Sequence, residues 1–136
     1  VSQINDIKFI NDSKSTTIDS AIWALRNINS PVILIAGGKD KGVDYKGILE
    51  FARKKVKGLI LIGEARQRIE SALGKFLPTE EAVSLEEAVC KAYRRASPGD
   101  CVLLSPMCSS FDMFSDYEER GRAFKEAVYG LTKDGA

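Results

Sequence analysis

A chain of 136 residues, 44% hydrophobic and 29% charged, has the length and apolar content of one globular domain with its own core. Its 20 basic and 19 acidic residues leave a net charge of +1, which excludes recruitment of nucleic acid or of an anionic membrane by bulk charge. The absence of histidine removes any Ser–His or Cys–His dyad and argues against zinc, and Cys90, Cys101 and Cys108 lack metal-ligand spacing and read as reduced thiols of a cytosolic protein.

In chain order, IKFI (7–10) predicts a strand, and 18–28 predicts a helix with Ile18, Ala21, Ile22, Leu25 and Ile28 on one face. PVILIAGG (31–38) predicts a buried strand ended by two glycines, and YKGILEFARKK (45–55) has helical spacing through Ile48, Leu49 and Ala52. GLILIG (58–63) is a further buried strand, followed by a helix over 64–73. A short strand is expected around 82–84. LEEAVCKAYRRA (85–96) predicts an amphipathic helix closed by the turn signal SPGD. CVLLSP (101–106) is the last strand, and a final helix runs from about Asp116 to Leu131.

Strands that are apolar on both faces and alternate with helices imply a mostly parallel sheet covered on both sides. The expectation is a single Rossmann-like α/β domain over residues 1–136, with helices on both faces. No apolar run approaches the roughly 20 residues that a membrane span needs, and no signal peptide opens the chain. The opening VSQINDIKF, with Val in place of Met, fits an excised piece of something longer, and a processed or renumbered start would look the same.

In open α/β sheets ligands bind at the carboxyl ends of the strands, beside helix N-termini. Three such ends carry unusual sequences: NDSKST (11–16), GGKDKG (37–42) and SPMCSSFDMF (105–114). In the first, Ser13, Ser15, Thr16 and Thr17 can each cap the following helix. Capping accounts for one Ser or Thr, not for Asp12 and Lys14 beside it. A lysine there opposes the helix dipole unless both share a bound anion, so cap and anion site stand level on these residues alone. In the second, Gly37 and Gly38 permit close backbone approach, while Lys39 and Lys41 supply charge; alone, this reads as a solvated turn, and no Walker A sequence occurs anywhere. In the third, Ser105, Ser109 and Ser110 are potential donors to a carboxylate. The plainer reading is a cap-rich loop with Phe111 and Phe114 as core and Cys108 as an inert thiol. Jointly, three such ends on one parallel sheet point to an anion-binding crevice.

FINDSKST, LIAGGKDKG and LLSPMCSSFDMFSDYEERGRAF, in that order, resemble the C-terminal domain of the Mur ligase family over essentially the whole chain. The NDSK element is similar to the branch of the family that adds D-glutamate; sister ligases carry a D-Y-A-H-like segment there. The resemblance implies a three-domain, ATP-dependent amide ligase of peptidoglycan synthesis in the bacterial cytoplasm. The carboxylate of UDP-N-acetylmuramoyl-L-alanine becomes an acyl phosphate, which the amine of D-glutamate attacks. This chain would be the amino-acid-binding, closing domain, and the N-terminal UDP-binding and central ATPase domains would lie outside it.

Position by position, the resemblance implies that Asp12 contacts the nucleotide ribose and Lys14 lies beside the nucleotide. Thr16 and Lys41 would hold carboxylates of D-glutamate, Ser110 would meet its other end, and Tyr117 falls where the family often has Phe. Thr17 stands where the family usually has Asn. Charge-assisted hydrogen bonds of this kind contribute roughly 1.5–3 kcal/mol each. ATP and Mg²⁺ would be bound mainly by the central domain, with its P-loop and carbamylated lysine, so the chain carries no complete catalytic set and is expected to be inactive alone. Two alternatives remain: a related folate polyglutamylating ligase domain, or a free-standing nucleotide- or anion-binding module. No nucleic-acid or membrane partner is expected.

Overall fold

The structure, a computed structural model, describes residues 2–39, 42, 44–108 and 114–133. Its six-stranded sheet comprises β1 (Ser2–Ile4), β2 (Ile7–Asn11), β3 (Val32–Gly37), β4 (Val56–Ile62), β5 (Thr79–Glu81) and β6 (Cys101–Leu104), in the spatial order β1-β2-β6-β3-β4-β5. Every neighbouring pair is parallel except β1–β2. The helices are α1 (Ile18–Arg26), α2 (Leu49–Lys55) after a 3-10 turn at Tyr45–Ile48, α3 (Arg66–Leu73), α4 (Leu85–Arg95) and α5 (Tyr117–Lys133). The mostly parallel sheet with helices on both faces agrees with the sequence.

Alternation along the central strands sorts the core into two layers, because successive side chains point to opposite faces. Val32, Leu34 and Ala36 of β3, with Leu59 and Leu61 of β4, pack beneath Ala21, Leu25, Ile48 and Ile69. Ile33, Ile35, Ile60 and Ile62 face the other way, against Val89 of α4 and Phe124 and Val128 of α5. Each fully buried aliphatic side chain contributes about 1.5–3 kcal/mol of transfer free energy, so the continuous apolar runs of β3 and β4 form the centre of both core layers and stabilise the fold strongly.

The edges depart from expectation. β1 was not anticipated: it pairs antiparallel with β2 across the two-residue turn Asn5–Asp6, whose φ angles are 51° and 64°. Asn and Asp are the residues that tolerate such a turn. The short edge strand lies at Thr79–Glu81 instead of 82–84, where it pairs with Leu59–Leu61 of β4. Its register is imposed by the neighbouring backbone, since TEE carries no apolar pattern of its own. The helix expected over 45–55 divides between Ile48 and Leu49 into a 3-10 turn and α2, and Asp44 caps the 3-10 turn by accepting from Lys46 N at 3.0 Å. Gly63, at φ 75°, opens a turn that delays α3 to Arg66.

Gly37 ends β3 at φ 121°, and a Cβ there would lie 2.0 Å from the Ile62 carbonyl oxygen. Gly99 also has a positive φ, 96°, but nothing stands within 4 Å of its added Cβ. Gly99→Ala is therefore expected to cost only left-handed backbone strain, about 1–2 kcal/mol. Gly37→Ala is expected to cost that strain and the steric overlap with β4 as well. Urea denaturation of the two variants checks this: Gly37→Ala should have clearly the lower midpoint.

Candidate functional site

The carboxyl ends of β2, β6 and β3 lie side by side, and their loops are tied together. The ladder extends one residue past β2, with Asp12 N donating to Leu104 O at 2.8 Å. The chain then tightens, Ser15 N bonding Asp12 O at 2.8 Å and Thr16 N bonding Lys14 O at 2.9 Å. The four candidate caps separate by role. Thr17 is the N-cap of α1, its Oγ1 accepting from Ser20 N at 3.2 Å while Ser20 Oγ accepts from Thr17 N at 3.4 Å, a reciprocal capping box. Thr and Asn are both good N-caps, which explains why Thr17 serves where Asn is usual. Ser13 and Ser15 are instead buried and point into the protein.

There they meet the other two loops. Ser13 Oγ donates to the Tyr117 carbonyl at 2.6 Å and accepts from Arg120 Nε at 3.0 Å. Arg120, 1% exposed, also donates from Nη2 to the Ser13 carbonyl at 2.7 Å and from Nη1 to the Cys108 carbonyl at 3.0 Å. Ser105 Oγ lies 2.8 Å from Ser15 Oγ, to which it donates, and 3.4 Å from Asp12 Oδ2. Met107 N donates to the Ser15 carbonyl at 3.0 Å, and Gly37 N to the Pro106 carbonyl at 3.0 Å. Met107 adopts φ 62°, a conformation that costs a non-glycine residue energy and persists only where its surroundings enforce it.

Of the residues singled out in the sequence, Asp12 is half-buried, Thr16 half-buried, Lys14 exposed and Tyr117 exposed at the first position of α5. Lys41 and Ser110 lie outside the described residues, as do Ser109 and Phe111. Lys14 and Tyr117 line one groove of about 280 Å³ between the loop after β2 and α5. Gly121 lets α5 sit that close, since a Cβ there would come within 2.9 Å of Asn11 Nδ2. Burial pushes the Asp12 carboxyl above its ordinary 3.8, against the hydroxyls of Ser105 and Ser15 and the charge of Lys14, which all pull it down. Phe114 packs against the α4–α5 layer of the core, as anticipated.

All three thiols are free. Cys108 is buried, its Sγ 3.2 Å from Tyr45 Oη, and burial pushes Cys101 up to about 11, so neither has the exposed, electropositive setting of a reactive thiol. No group of three or more His, Cys, Asp or Glu among the described residues is placed to hold a metal ion, and no helix among them is long and apolar enough to cross a membrane.

Arg120 was not singled out in the sequence, although a signal is there. Arg120, Phe124, Val128 and Leu131 fall on one stripe of α5 and all are buried. An arginine on an apolar stripe must have buried acceptors waiting for it.

Comparison with known proteins agrees with this fold. The family model described as Mur ligase, glutamate ligase domain, matches residues 1–108. A UDP-N-acetylmuramoylalanine–D-glutamate ligase from Chloroherpeton thalassium is 46% identical over 131 residues, covering 96% of this chain and 28% of the relative. Proteins of the same name from Caldanaerobacter subterraneus and Geotalea uraniireducens are 49% and 48% identical, the chain covering 30% of each. The chain thus spans less than a third of the length of these curated relatives. Among solved structures, a murein peptide ligase from Psychrobacter arcticus superposes with a TM-score of 0.53 at 12% identity, over 94% of this chain and 28% of that one. A domain from Haemophilus ducreyi superposes with a TM-score of 0.52 at 14% identity, over 93% of this chain and 95% of that one. These two likenesses establish the fold alone.

The raised Asp12 carboxyl has a consequence for stability. The folded chain holds the Asp12 proton more tightly than the unfolded chain, so this group favours folding below 3.8 and loses that contribution as pH rises through its folded value. Asp12→Asn is therefore expected to raise the thermal midpoint at neutral pH, with the gain shrinking below pH 3.8. Melting curves of both proteins across this range check it; an Asn variant no more stable at neutral pH contradicts it.

Proposed function

The chain belongs to the Mur ligase family, in its glutamate ligase domain, and from that membership we propose that it is the amino-acid-binding C-terminal domain of an ATP-dependent ligase that adds D-glutamate to UDP-N-acetylmuramoyl-L-alanine. The name carried by relatives at 46–49% identity supports D-glutamate over the folate-type alternative. In the full-length enzyme the substrate carboxylate attacks the γ-phosphorus of ATP, giving an acyl phosphate and ADP. The amine of D-glutamate then attacks the acyl carbon, the amide C–N bond forms, the C–O bond to phosphate breaks, and the amine loses a proton.

This chain's part in that reaction is binding and orientation. Asp12 accepts a hydrogen bond from a ribose hydroxyl, and Lys14 lies beside the nucleotide. Thr16 with Lys41 holds one carboxylate of D-glutamate, while Ser110 and the start of α5 at Tyr117 meet the other. The observation that carries this reading is the fixed relation between two loops: Ser13 bonds the Tyr117 carbonyl at 2.6 Å, so the Thr16 segment and the N-terminus of α5 cannot drift apart. A dicarboxylate needs two donor sets at a set separation, and orientation of this kind is what turns binding into catalysis. Mg²⁺ takes an oxygen-rich shell of carboxylates, phosphates and water. Asp12 alone is a poor fit to that shell, so no step through the metal falls to the described residues, and the isolated chain is inactive.

The experiment is a kinetic comparison in the full-length enzyme. Thr16→Ala removes one donor to a carboxylate, a loss of roughly 1.5–3 kcal/mol, so KM for D-glutamate is expected to rise about 10- to 150-fold. KM for ATP should stay as it was. An unchanged KM for D-glutamate, or an equal rise in both constants, contradicts the assignment of Thr16.

A further inference from the structure

The groove between the loop after β2 and α5 is lined mainly by cations. Lys14, Arg122 and Lys125 line it together with Glu118. Asp12 lies beside Lys14 and feels its charge, so three cations against two carboxylates leave a positive surplus. All four lining side chains are exposed, and none of the three cations has a hydrogen-bond or ion-pair partner among the described residues. Arg122 and Lys125 stand three residues apart on one helical face, where like charges repel mildly.

The groove floor adds at most one amide N–H of Asn11. The Asn11 amide donates to the Gly121 carbonyl at 3.4 Å and accepts from Ser13 N at 3.1 Å. The Ser13 hydroxyl is committed to Tyr117 and Arg120. Recognition of a ligand there falls mainly to the three cations.

We infer that this groove is a subsite for an oxyanion of the phosphate class, held by Arg122 and Lys125 from α5 and by Lys14 across from them. A phosphate group near neutral pH carries about −1.5 to −2 on three acceptor oxygens, which three cations can meet together; a single carboxylate offers two oxygens and one charge. The planar fork of Arg122 suits two phosphate oxygens, and the lysines act as point charges. At about 280 Å³ the groove admits a phosphate or diphosphate. The inference shares Lys14 with the function proposed above and otherwise rests on Arg122 and Lys125, to which that function gives no role.

The test is a titration of the chain with sodium diphosphate at constant ionic strength, followed by amide shifts, with sodium acetate as control. Saturable shifts at Lys14, Arg122 and Lys125, absent with acetate, are expected. The exposed double variant R122Q/K125Q should keep the thermal midpoint and bind diphosphate at least tenfold more weakly. A parallel titration with adenosine monophosphate separates the sources: shifts at the same three amides support a nucleotide-borne phosphate, and silence beside diphosphate binding supports free phosphate. No saturable shift with diphosphate, equal binding by the double variant, or equal binding of acetate overturns the inference. Failure of D-glutamate to respond to Thr16→Ala would leave it standing.

Discussion

A guanidinium taken out of water must find acceptors in fixed places, and Arg120 finds them on two loops at once. Removing a charged group from water costs several kcal/mol, recovered only when geometry and hydrogen bonding are good. It donates two bonds to Ser13, after β2, and one to the carbonyl of Cys108, after β6. The fold therefore reaches its full stability only when both loops occupy one arrangement. Burial energy along the Phe124, Val128 and Leu131 stripe seats α5 on the sheet, and Arg120 converts that seating into a constraint on the crevice.

The remaining features of the site follow from this constraint. With Ser13 held by Arg120, Ser15 is placed to take the Met107 N–H and the Ser105 hydroxyl, and Met107 is kept at a φ it would not choose freely. Asp12 is held half out of solvent, with its proton affinity raised by burial. A free chain would relieve both; a pre-organised site tolerates them, because a ligand then has less ordering to do on binding. Outside this interlock the cations Lys14, Arg122 and Lys125 lie exposed along the neighbouring groove.

The central architecture was legible because its cause is local. PVILIAGG and GLILIG can only be buried on both faces, and that forces a parallel sheet with helices on each side. The three unusual strand ends were legible for the same reason, since a parallel sheet brings carboxyl ends together. What was not legible depends on pairing or on three dimensions. β1 and β5 are three-residue strands, too short to show periodicity, and their registers are borrowed from β2 and β4. Which of Ser13, Ser15, Thr16 and Thr17 caps α1 depends on where the chain turns. Arg120 was hidden among the mixed charges of EERGR, and its partners lie 107 and 12 residues away. Lys41 and Ser110 fall outside the described residues, so their roles rest on resemblance.

The central claim is that Arg120 locks the loops after β2 and β6 against each other, beyond its share in overall stability. Native-state amide hydrogen exchange on the chain and on Arg120→Lys tests it most directly, because a lysine supplies a charge but cannot span Ser13 and Cys108 together. The account predicts that Met107 N–H, bonded to Ser15 across the two loops, loses far more protection than amides of β3 such as Leu34. A uniform loss at both positions, matching the drop in global stability, would contradict it.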